Sequence, residues 1–408
     1  MRLRVAALLF LAAAAFGQKY YTYVGNLASD SVLIAWGTAD GVNTIGRSAP
    51  SRGEATVRIG NRNFTTRQGW AVVGDLPPDT EVPFEVSLGG NVIGHGSART
   101  WPVKSTRLCF FAMGDFGNGT RDQYAVAKTL AEEWERRRNT SNPPRFVMSL
   151  GDTIYGDFST FAFGFKHTGD QDVDWAGKFF EPYQPVLAHI PFYPVLGNHD
   201  GNATEARGDL PAFLDNFFFP NDKPSRFYRF RFADLADFFA LDSTDNTESG
   251  PPRPAYLEGG EQFTWMKAQM AQSNVPWRIP YFHHPPFSAG PRHAASYRAL
   301  AHWVRLFESN GVKVVFSGHE HNFQFSQVNE QTGGIRFIVS GAGGELRPGD
   351  VRGRMAAANI EGWAPQFHFL VVEIEGKTMR ITPVGPRPVQ VQKADGGAYG
   401  MPLVVTVP

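Results

Sequence analysis

The stretch 149–155 reads Ser149-Leu150-Gly151-Asp152-Thr153-Ile154-Tyr155. It closes an apolar run that starts at Arg145 and is typical of a short buried strand, which we expect to end at Gly151. A carboxylate, Asp152, therefore comes just past the strand end, and the phenol of Tyr155 follows within one turn of chain. Because open α/β sheets bind ligands at the carboxyl ends of their strands, this stretch predicts an α/β domain with its ligand chemistry at this edge.

Four more apolar runs end in polar side chains of the same kind. Each run is followed by Asp, Asn or His, in the segments 113–117, 196–200, 281–285 and 317–322. Any one of these residues alone is more often a turn former, a helix cap or an ordinary histidine. Five such strand ends together indicate the ligand set of a two-metal site, and mixed oxygen and nitrogen donors suit Fe, Zn or Mn.

The sequence on either side of these motifs divides the chain into regions. Residues 107–385 alternate apolar strand patterns with helix-period segments, such as 122–135 and 295–308, which predicts an α/β catalytic domain. Residues 18–101 contain short alternating strands separated by turn clusters, which predicts an all-β sandwich. The segment 76–86, with Trp36 on an earlier strand, makes this sandwich resemble a fibronectin type III-like module. Residues 386–408 are interpreted as a C-terminal tail.

Composition restricts the possible partners. The chain carries 39 Lys and Arg against 39 Asp and Glu, and no basic stripe indicates nucleic-acid binding. The single cysteine, Cys109, excludes an intramolecular disulfide and a thiolate metal cluster. We therefore expect a small-molecule substrate and no nucleic acid, while the oligomeric state is left open.

The first 17 residues have the pattern of a signal peptide. Arg2 and Arg4 precede an apolar run, and Ala15-Phe16-Gly17 fits the cleavage rule before Gln18. The run is shorter than the ~20 residues of a membrane-spanning helix. The sequence thus predicts an exported protein, secreted or periplasmic, with no stable membrane insertion after cleavage.

The motifs in their order resemble the calcineurin-like metallophosphoesterases, and more narrowly their purple acid phosphatase branch. The resemblance covers roughly residues 108–385 and rests on Asp115-x-Gly117, Gly151-Asp152-x-x-Tyr155, Gly197-Asn198-His199-Asp200, His283-x-Pro285 and Gly318-His319-x-His321. Tyr155 carries the narrower match, since most of the superfamily has no tyrosine ligand there. The resemblance implies two sheets packed together and flanked by helices.

The resemblance also implies a binuclear metal centre. One ion, Fe(III), would be held by Asp115, Tyr155 and His321, because a phenolate and a carboxylate stabilise a trivalent ion. The second ion, Zn, Mn or Fe(II), would be held by three further ligands, namely Asn198, His283 and His319. Asp152 would bridge the two ions, and His284 remains an alternative to His283.

The activity implied by the resemblance is hydrolysis of phosphate monoesters by attack of a metal-bound hydroxide. His199 would be the general acid, Asp200 would orient it, and His293 would face the phosphate. A phosphodiesterase or nucleotidase on the same metal platform is the first alternative. A non-catalytic binding protein with a vestigial site is the second, and the complete set of candidate ligands speaks against it.

Overall fold

The computed structural model describes residues 18–40, 44–155, 172–202, 211–220, 225–244 and 254–408. The predicted signal peptide, residues 1–17, lies outside the described residues. Among the helices that are described, none combines the length and the apolar character needed to cross a membrane.

Within residues 18–40 and 44–101, strands are the regular elements of the N-terminal region. Its seven strands are β1 (Tyr21–Leu27), β2 (Val32–Gly37), β3 (Pro50–Ile59), β4 (Arg62–Gln68), β5 (Trp70–Val73), β6 (Glu81–Leu88) and β7 (Asn91–Arg99). They form a three-stranded sheet in the order β1-β2-β5 and a four-stranded sheet in the order β4-β3-β6-β7. Burial alternates along β6, as expected for a strand with one face on a core, and Trp36 is buried. The predicted β-rich N-terminal region is therefore confirmed.

Thirteen further strands are found in the described residues beyond position 101. They are β8 (Arg107–Met113), β9 (Pro144–Ser149), β10 (Phe192–Pro194), β11 (Tyr228–Phe232), β12 (Ala236–Ala240), β13 (Trp277–Tyr281), β14 (Val314–Ser317), β15 (Phe323–Ser326), β16 (Arg336–Ser340), β17 (Ile360–Ala364), β18 (Phe369–Glu375), β19 (Thr378–Val384) and β20 (Leu403–Thr406). One sheet has the order β10-β9-β8-β18-β19-β20 and the other the order β11-β12-β13-β14-β16-β15-β17. Strands β8, β9 and β10 pair in parallel, as do β12, β13 and β14. The carboxyl ends of each parallel group thus lie on one edge of its sheet.

Eight α-helices are described between and after these strands. They are α1 (Arg121–Arg137), α2 (Asp172–Trp175), α3 (Glu181–Leu187), α4 (Asn198–Asn202), α5 (Pro211–Asn216), α6 (Glu261–Ala271), α7 (Tyr297–Ser309) and α8 (Arg352–Met355). A π-helical turn, Ala176–Phe180, joins α2 to α3. Thr120 caps the N-terminus of helix α1: its side chain accepts from the amide of Gln123 and so satisfies one free donor of the first turn. The predicted helices 122–135 and 295–308 are found as α1 and α7.

The two larger sheets pack face to face through aromatic rings. Phe110 on β8 stacks on Phe146 of β9 with ring centroids 5.0 Å apart. The same ring meets Phe238 of β12 at 5.5 Å and Phe316 of β14 at 6.2 Å in edge-on contacts. These four side chains are fully buried, and their contacts hold the parallel strands of one sheet against those of the other.

The N-terminal region packs tightly on the larger sheets. The ring of Trp101 lies 6.1 Å from that of Tyr193 and 5.6 Å from that of Phe232, and the guanidinium of Arg145 contacts Asp79 at 2.7 Å. One buried apolar cluster runs through both regions. Packing therefore shows no gap at the predicted boundary near residue 101, and the division into domains stays a prediction.

The C-terminal segment differs from its prediction as a tail. Strand β20 pairs antiparallel with β19 and forms an edge of the six-stranded sheet, and Gln392 bridges to Trp363. Leu403 and Val405 are buried while Val404 is exposed, which is the burial pattern of a strand with one face on a core. The segment 386–408 is thus part of the fold.

Candidate metal centre

The predicted site residues follow the carboxyl ends of strands from both larger sheets. Asp115 and Asp152 come after β8 and β9, and Asn198 opens α4 shortly after β10. His283 follows β13, and His319 follows β14. Because the two sheets pack face to face, these strand ends meet, and the structure brings the seven predicted ligands into two contacting sets.

The first set is made of two carboxylates, a phenol and an imidazole. The hydroxyl of Tyr155 lies 3.1 Å from Oδ1 of Asp115, 3.1 Å from Oδ2 of Asp152 and 3.2 Å from Nε2 of His321. Nε2 of His321 lies 3.2 Å from Oδ1 of Asp115. All four side chains are buried, so this is a desolvated cluster of electron-pair donors.

The second set is made of an amide oxygen and two imidazoles. Oδ1 of Asn198 lies 3.1 Å from Nε2 of His283 and 3.0 Å from Nδ1 of His319. Nε2 of His283 also lies 3.4 Å from Oδ2 of Asp152, the same oxygen that faces Tyr155 in the first set. The carboxylate of Asp152 therefore lies between the two sets.

These donor sets fit metal ions. Ligand atoms bound at about 2.0–2.2 Å to one ion lie roughly 3.0–3.4 Å apart in octahedral or tetrahedral geometry, which is the spacing seen here. The hydroxyl of Tyr155 has a single proton, yet it faces two carboxylates and an imidazole nitrogen. The proton can be donated to one of these three acceptors only. A cation bound among them would interact with the lone pairs of the other two.

The geometry distinguishes His283 from His284. Nδ1 of His283 lies 2.8 Å from the carbonyl oxygen of Leu150, which leaves Nε2 directed at Asn198 and Asp152. An imidazole held by a backbone carbonyl through one nitrogen is the usual arrangement of a metal-binding histidine. Nδ1 of His284 instead lies 2.9 Å from Oγ of Ser243. His284 is still close, since its ring centroid lies 4.4 Å from that of His319.

Burial and local charge shift the pKa values of the site in opposite directions. Burial and the neighbouring carboxylates of Asp115 and Asp152 raise the pKa of Tyr155 well above its ordinary value. For Asp152, burial alone would raise the pKa, but positive charge on His283 and His199 outweighs it and brings the pKa well below the ordinary value. The site thus keeps Asp152 ionised and holds a phenol that needs a nearby cation before it ionises.

Three of the site residues have backbone conformations that residues other than glycine rarely adopt. The φ angles of Asp115, Asp152 and His319 are 59°, 50° and 70°, all in the left-handed region. Gly197 has a different constraint, because a Cβ there would lie 2.1 Å from Oδ1 of Asp152. Residues held in such conformations store strain, which a functional site can use to position its side chains.

The predicted acid, His199, lies next to the carboxylate between the two sets. Its backbone amide donates to Oδ1 of Asp152 at 2.8 Å, and its ring centroid lies 4.5 Å from that of Tyr155. Asp200 accepts from the backbone amides of Gly197 at 2.9 Å and Thr153 at 3.0 Å. Asp200 therefore connects the loop after β9 to the loop after β10. If Asp200 orients His199, it does so by fixing the backbone of the loop that carries both residues.

His293 lies on the other side of the site. Its ring centroid is 4.1 Å from that of His319, and its backbone amide donates to Oε2 of Glu320 at 2.9 Å. Glu320 is fully buried beneath this loop. Neither Glu320 nor the nearby Arg347 was a predicted site residue, because neither matches a motif position. Glu320 could have been noticed as the carboxylate between His319 and His321.

Comparison with known proteins shows a match to one protein family and similarity to several acid phosphatases. Residues 110–323 match the family described as calcineurin-like phosphoesterase. The chain is 27% identical over 306 residues to "Tartrate-resistant acid phosphatase type 5" of Homo sapiens, covering 67% of this chain and 86% of that protein. It is 26% identical over 285 residues to "Purple acid phosphatase 17" of Arabidopsis thaliana, covering 64% of this chain and 76% of that protein.

Two solved structures share the fold. The structure described as "Structure of PhoD" superposes with a TM-score of 0.65 at 15% identity, covering 93% of this chain and 92% of that one. A purple acid phosphatase, PPD1, from yellow lupin (Lupinus luteus) seeds gives a TM-score of 0.65 at 14% identity, covering 94% of this chain and 73% of that one. At these identities the likeness concerns the fold alone.

Proposed function

Because this chain belongs to the calcineurin-like phosphoesterase family, we propose that it hydrolyses phosphate monoesters at a binuclear metal centre. Its homologues include acid phosphatases, so the sequence-based recognition of a purple acid phosphatase-like member of this superfamily is confirmed. The observation that carries the proposal is the position of Oδ2 of Asp152, 3.1 Å from the hydroxyl of Tyr155 and 3.4 Å from Nε2 of His283.

Two ions are assigned to the two sets of donors. Fe(III) is proposed for the site of Asp115, Tyr155 and His321, where oxygen donors dominate. Zn, Mn or Fe(II) is proposed for the site of Asn198, His283 and His319, whose donors are neutral. Two bound cations would neutralise charge on the phosphate and acidify the attacking water.

The remaining roles belong to side chains that surround the ions. His199 is proposed to protonate the leaving alkoxide, a task suited to an imidazole beside the reacting phosphate. Asp200 fixes the loop of His199 by accepting backbone hydrogen bonds. His293, stacked near His319, is proposed to contact a phosphate oxygen.

The test is hydrolysis by protein reconstituted with Fe and Zn. Phenyl phosphate should be hydrolysed, and bis(phenyl) phosphate should be hydrolysed far more slowly. A preference for the diester would replace the proposal by a phosphodiesterase on the same metal platform. Failure to hydrolyse either ester with both metals bound would leave a binding protein with a vestigial site.

Two further proposals concern the export of the protein and the fold of its N-terminal region. We propose that the chain is exported, because residues 1–17 have the charge and apolar pattern of a signal peptide. N-terminal sequencing of secreted or periplasmic protein should begin at Gln18. We also propose that residues 18–101 form a fibronectin type III-like module, supported by sheets of three and four strands around Trp36.

A further inference from the structure

The segment 344–347, which follows β16, is bound to the candidate metal centre through backbone hydrogen bonds. The backbone amides of Gly344 and Glu345 both donate to the carbonyl oxygen of Asp115 at 3.0 Å. The backbone amide of Arg347 donates to the carbonyl oxygen of His321 at 3.1 Å. The main chain of residues 344–347 is therefore fixed against two predicted metal ligands, and the backbone of Arg347 itself is held at His321.

The positive charge of Arg347 acts on His293, the histidine predicted to face the phosphate, and on Glu320. Burial, followed by the positive charge of Arg347, lowers the pKa of His293 to about 4. Burial raises the pKa of Glu320 above its ordinary value, and the backbone amide of His293 and then the charge of Arg347 oppose this rise only in part. An arginine that influences both groups lies on the side of the site where the ring of His293 faces that of His319.

One nitrogen of this half-buried guanidinium has no partner in the part of the chain that the structure describes. Nη1 of Arg347 is buried and has no hydrogen-bond partner within the described ranges. Arg347 also forms no ion pair with any carboxylate of those ranges, although most other half-buried arginines here do, such as Arg229 with Asp237 at 2.6 Å. Burying a charged donor without a partner is costly, so an anion that arrives with the substrate would remove this cost.

We propose that Arg347 binds a second anionic group of the substrate, a phosphate or a carboxylate, beside the phosphate that is cleaved. This inference rests on the proposed phosphatase function and narrows its substrates to esters or anhydrides with two anionic groups. The planar guanidinium offers paired donors that match the oxygens of either group. Metal ligands, His199 and His293 hold the first phosphate, and Arg347 holds the second group next to His293.

The experiment compares three substrates with the full chain reconstituted with Fe and Zn. Phenyl phosphate has no second anionic group, pyrophosphate has a second phosphate, and phosphoglycolate has a carboxylate. Arg347→Gln should lower kcat/KM for pyrophosphate, phosphoglycolate or both by about 10- to 100-fold, mainly through KM. Phenyl phosphate should be hydrolysed almost as by the wild type, and Arg347→Lys should restore part of the loss.

The matched control is Arg352→Gln, which removes the same charge from an exposed arginine paired with Asp350 at 2.6 Å. It should leave all three substrates unchanged. Equal loss on all three substrates in Arg347→Gln, or loss on none, would overturn the inference. The substrate that shows the selective loss identifies the second group as phosphate or carboxylate.

A binding measurement separates failure of this inference from failure of the proposed function. Calorimetry with methylenediphosphonate and phenylphosphonate needs no turnover. Weaker binding of methylenediphosphonate to Arg347→Gln than to Arg352→Gln, with phenylphosphonate unaffected, supports the inference even if no ester is hydrolysed. Equal binding of methylenediphosphonate to both variants overturns it, whatever the activity.

Discussion

The hydroxyl of Tyr155 lies 3.1 Å from Oδ2 of Asp152 in a fully buried environment. The same carboxylate oxygen faces Nε2 of His283 at 3.4 Å, so it connects an oxygen-rich set of donors to a nitrogen-rich one. Two kinds of donor set joined by one carboxylate fit two different ions. Single substitutions can change one contact of this arrangement, or of the fold that holds it, at a time.

Tyr155→Phe should remove the colour of the metal-loaded protein. If Tyr155 binds Fe(III) as phenolate, the wild type should have a visible charge-transfer band after reconstitution with Fe and Zn. The phenylalanine variant keeps the buried ring but loses the oxygen that contacts Asp115 and Asp152. The visible spectrum checks this. A colourless wild type containing two divalent ions would reject iron at this position while leaving the superfamily assignment intact.

Asp152→Asn and His199→Ala should separate metal binding from turnover. Asp152→Asn removes the charge between the two donor sets and should lose metal and activity together. His199 touches Asp152 through its backbone amide, so His199→Ala should keep both ions and lose about 100- to 10,000-fold in kcat. Elemental analysis beside phenyl phosphate kinetics measures both. Unchanged turnover in His199→Ala would show that His199 is not the acid.

Gly290→Ala should destabilise the loop that carries His293. A Cβ at Gly290 would lie 2.3 Å from Cδ of Glu320, and this buried carboxylate accepts from the amide of His293 at 2.9 Å. We expect a loss of about 1–3 kcal/mol in the free energy of unfolding, together with lower kcat/KM. Urea unfolding and kinetics provide the measurement.

The control for that substitution is Gly353→Ala in α8, where a Cβ would meet no atom within 4 Å. It should leave stability and activity close to the wild type. If both alanine variants behave alike, the packing of Glu320 against Gly290 does not position His293.

His368 should make stability depend on pH. Burial lowers the pKa of this fully buried imidazole to about 4, from the ordinary 6.5 expected in the unfolded chain. Between pH 6.5 and 4 the unfolded state binds a proton that the folded state rejects, so stability falls as the pH falls. A shift of this size corresponds to about 3 kcal/mol.

Urea unfolding of the wild type and of His368→Gln at pH 7 and pH 4 tests this. The wild type should lose more stability over this range than the variant does, whereas His95→Gln, at an exposed position, should follow the wild type. Parallel pH profiles for the wild type and His368→Gln would assign the acid lability to other groups.

Local sequence patterns predicted much of the fold and of the candidate site. The apolar run before Asp152 and the helix-period segment at α1 were found where expected, because local periodicity reports burial directly. Five strand-end motifs predicted a cluster because parallel strands place their carboxyl ends on a common edge. The structure places Asp115 and His321 in direct contact although they lie far apart in the chain.

The features that were not predicted from the sequence depend on contacts between residues far apart in the chain. Strand β20 is four residues long and is defined by pairing with β19, so its segment was interpreted as a tail. Glu320 and Arg347 approach the site through contacts with His293 and His321 that no spacing in the sequence indicates.

The most direct test of the binuclear centre is an anomalous difference map from crystals of the protein reconstituted with Fe and Zn. Two peaks are expected about 3.5–4 Å apart on either side of Asp152. One should lie among Asp115, Tyr155 and His321, and the other among Asn198, His283 and His319. A single peak, or a second peak bound by His284 away from Asp152, would contradict the central claim.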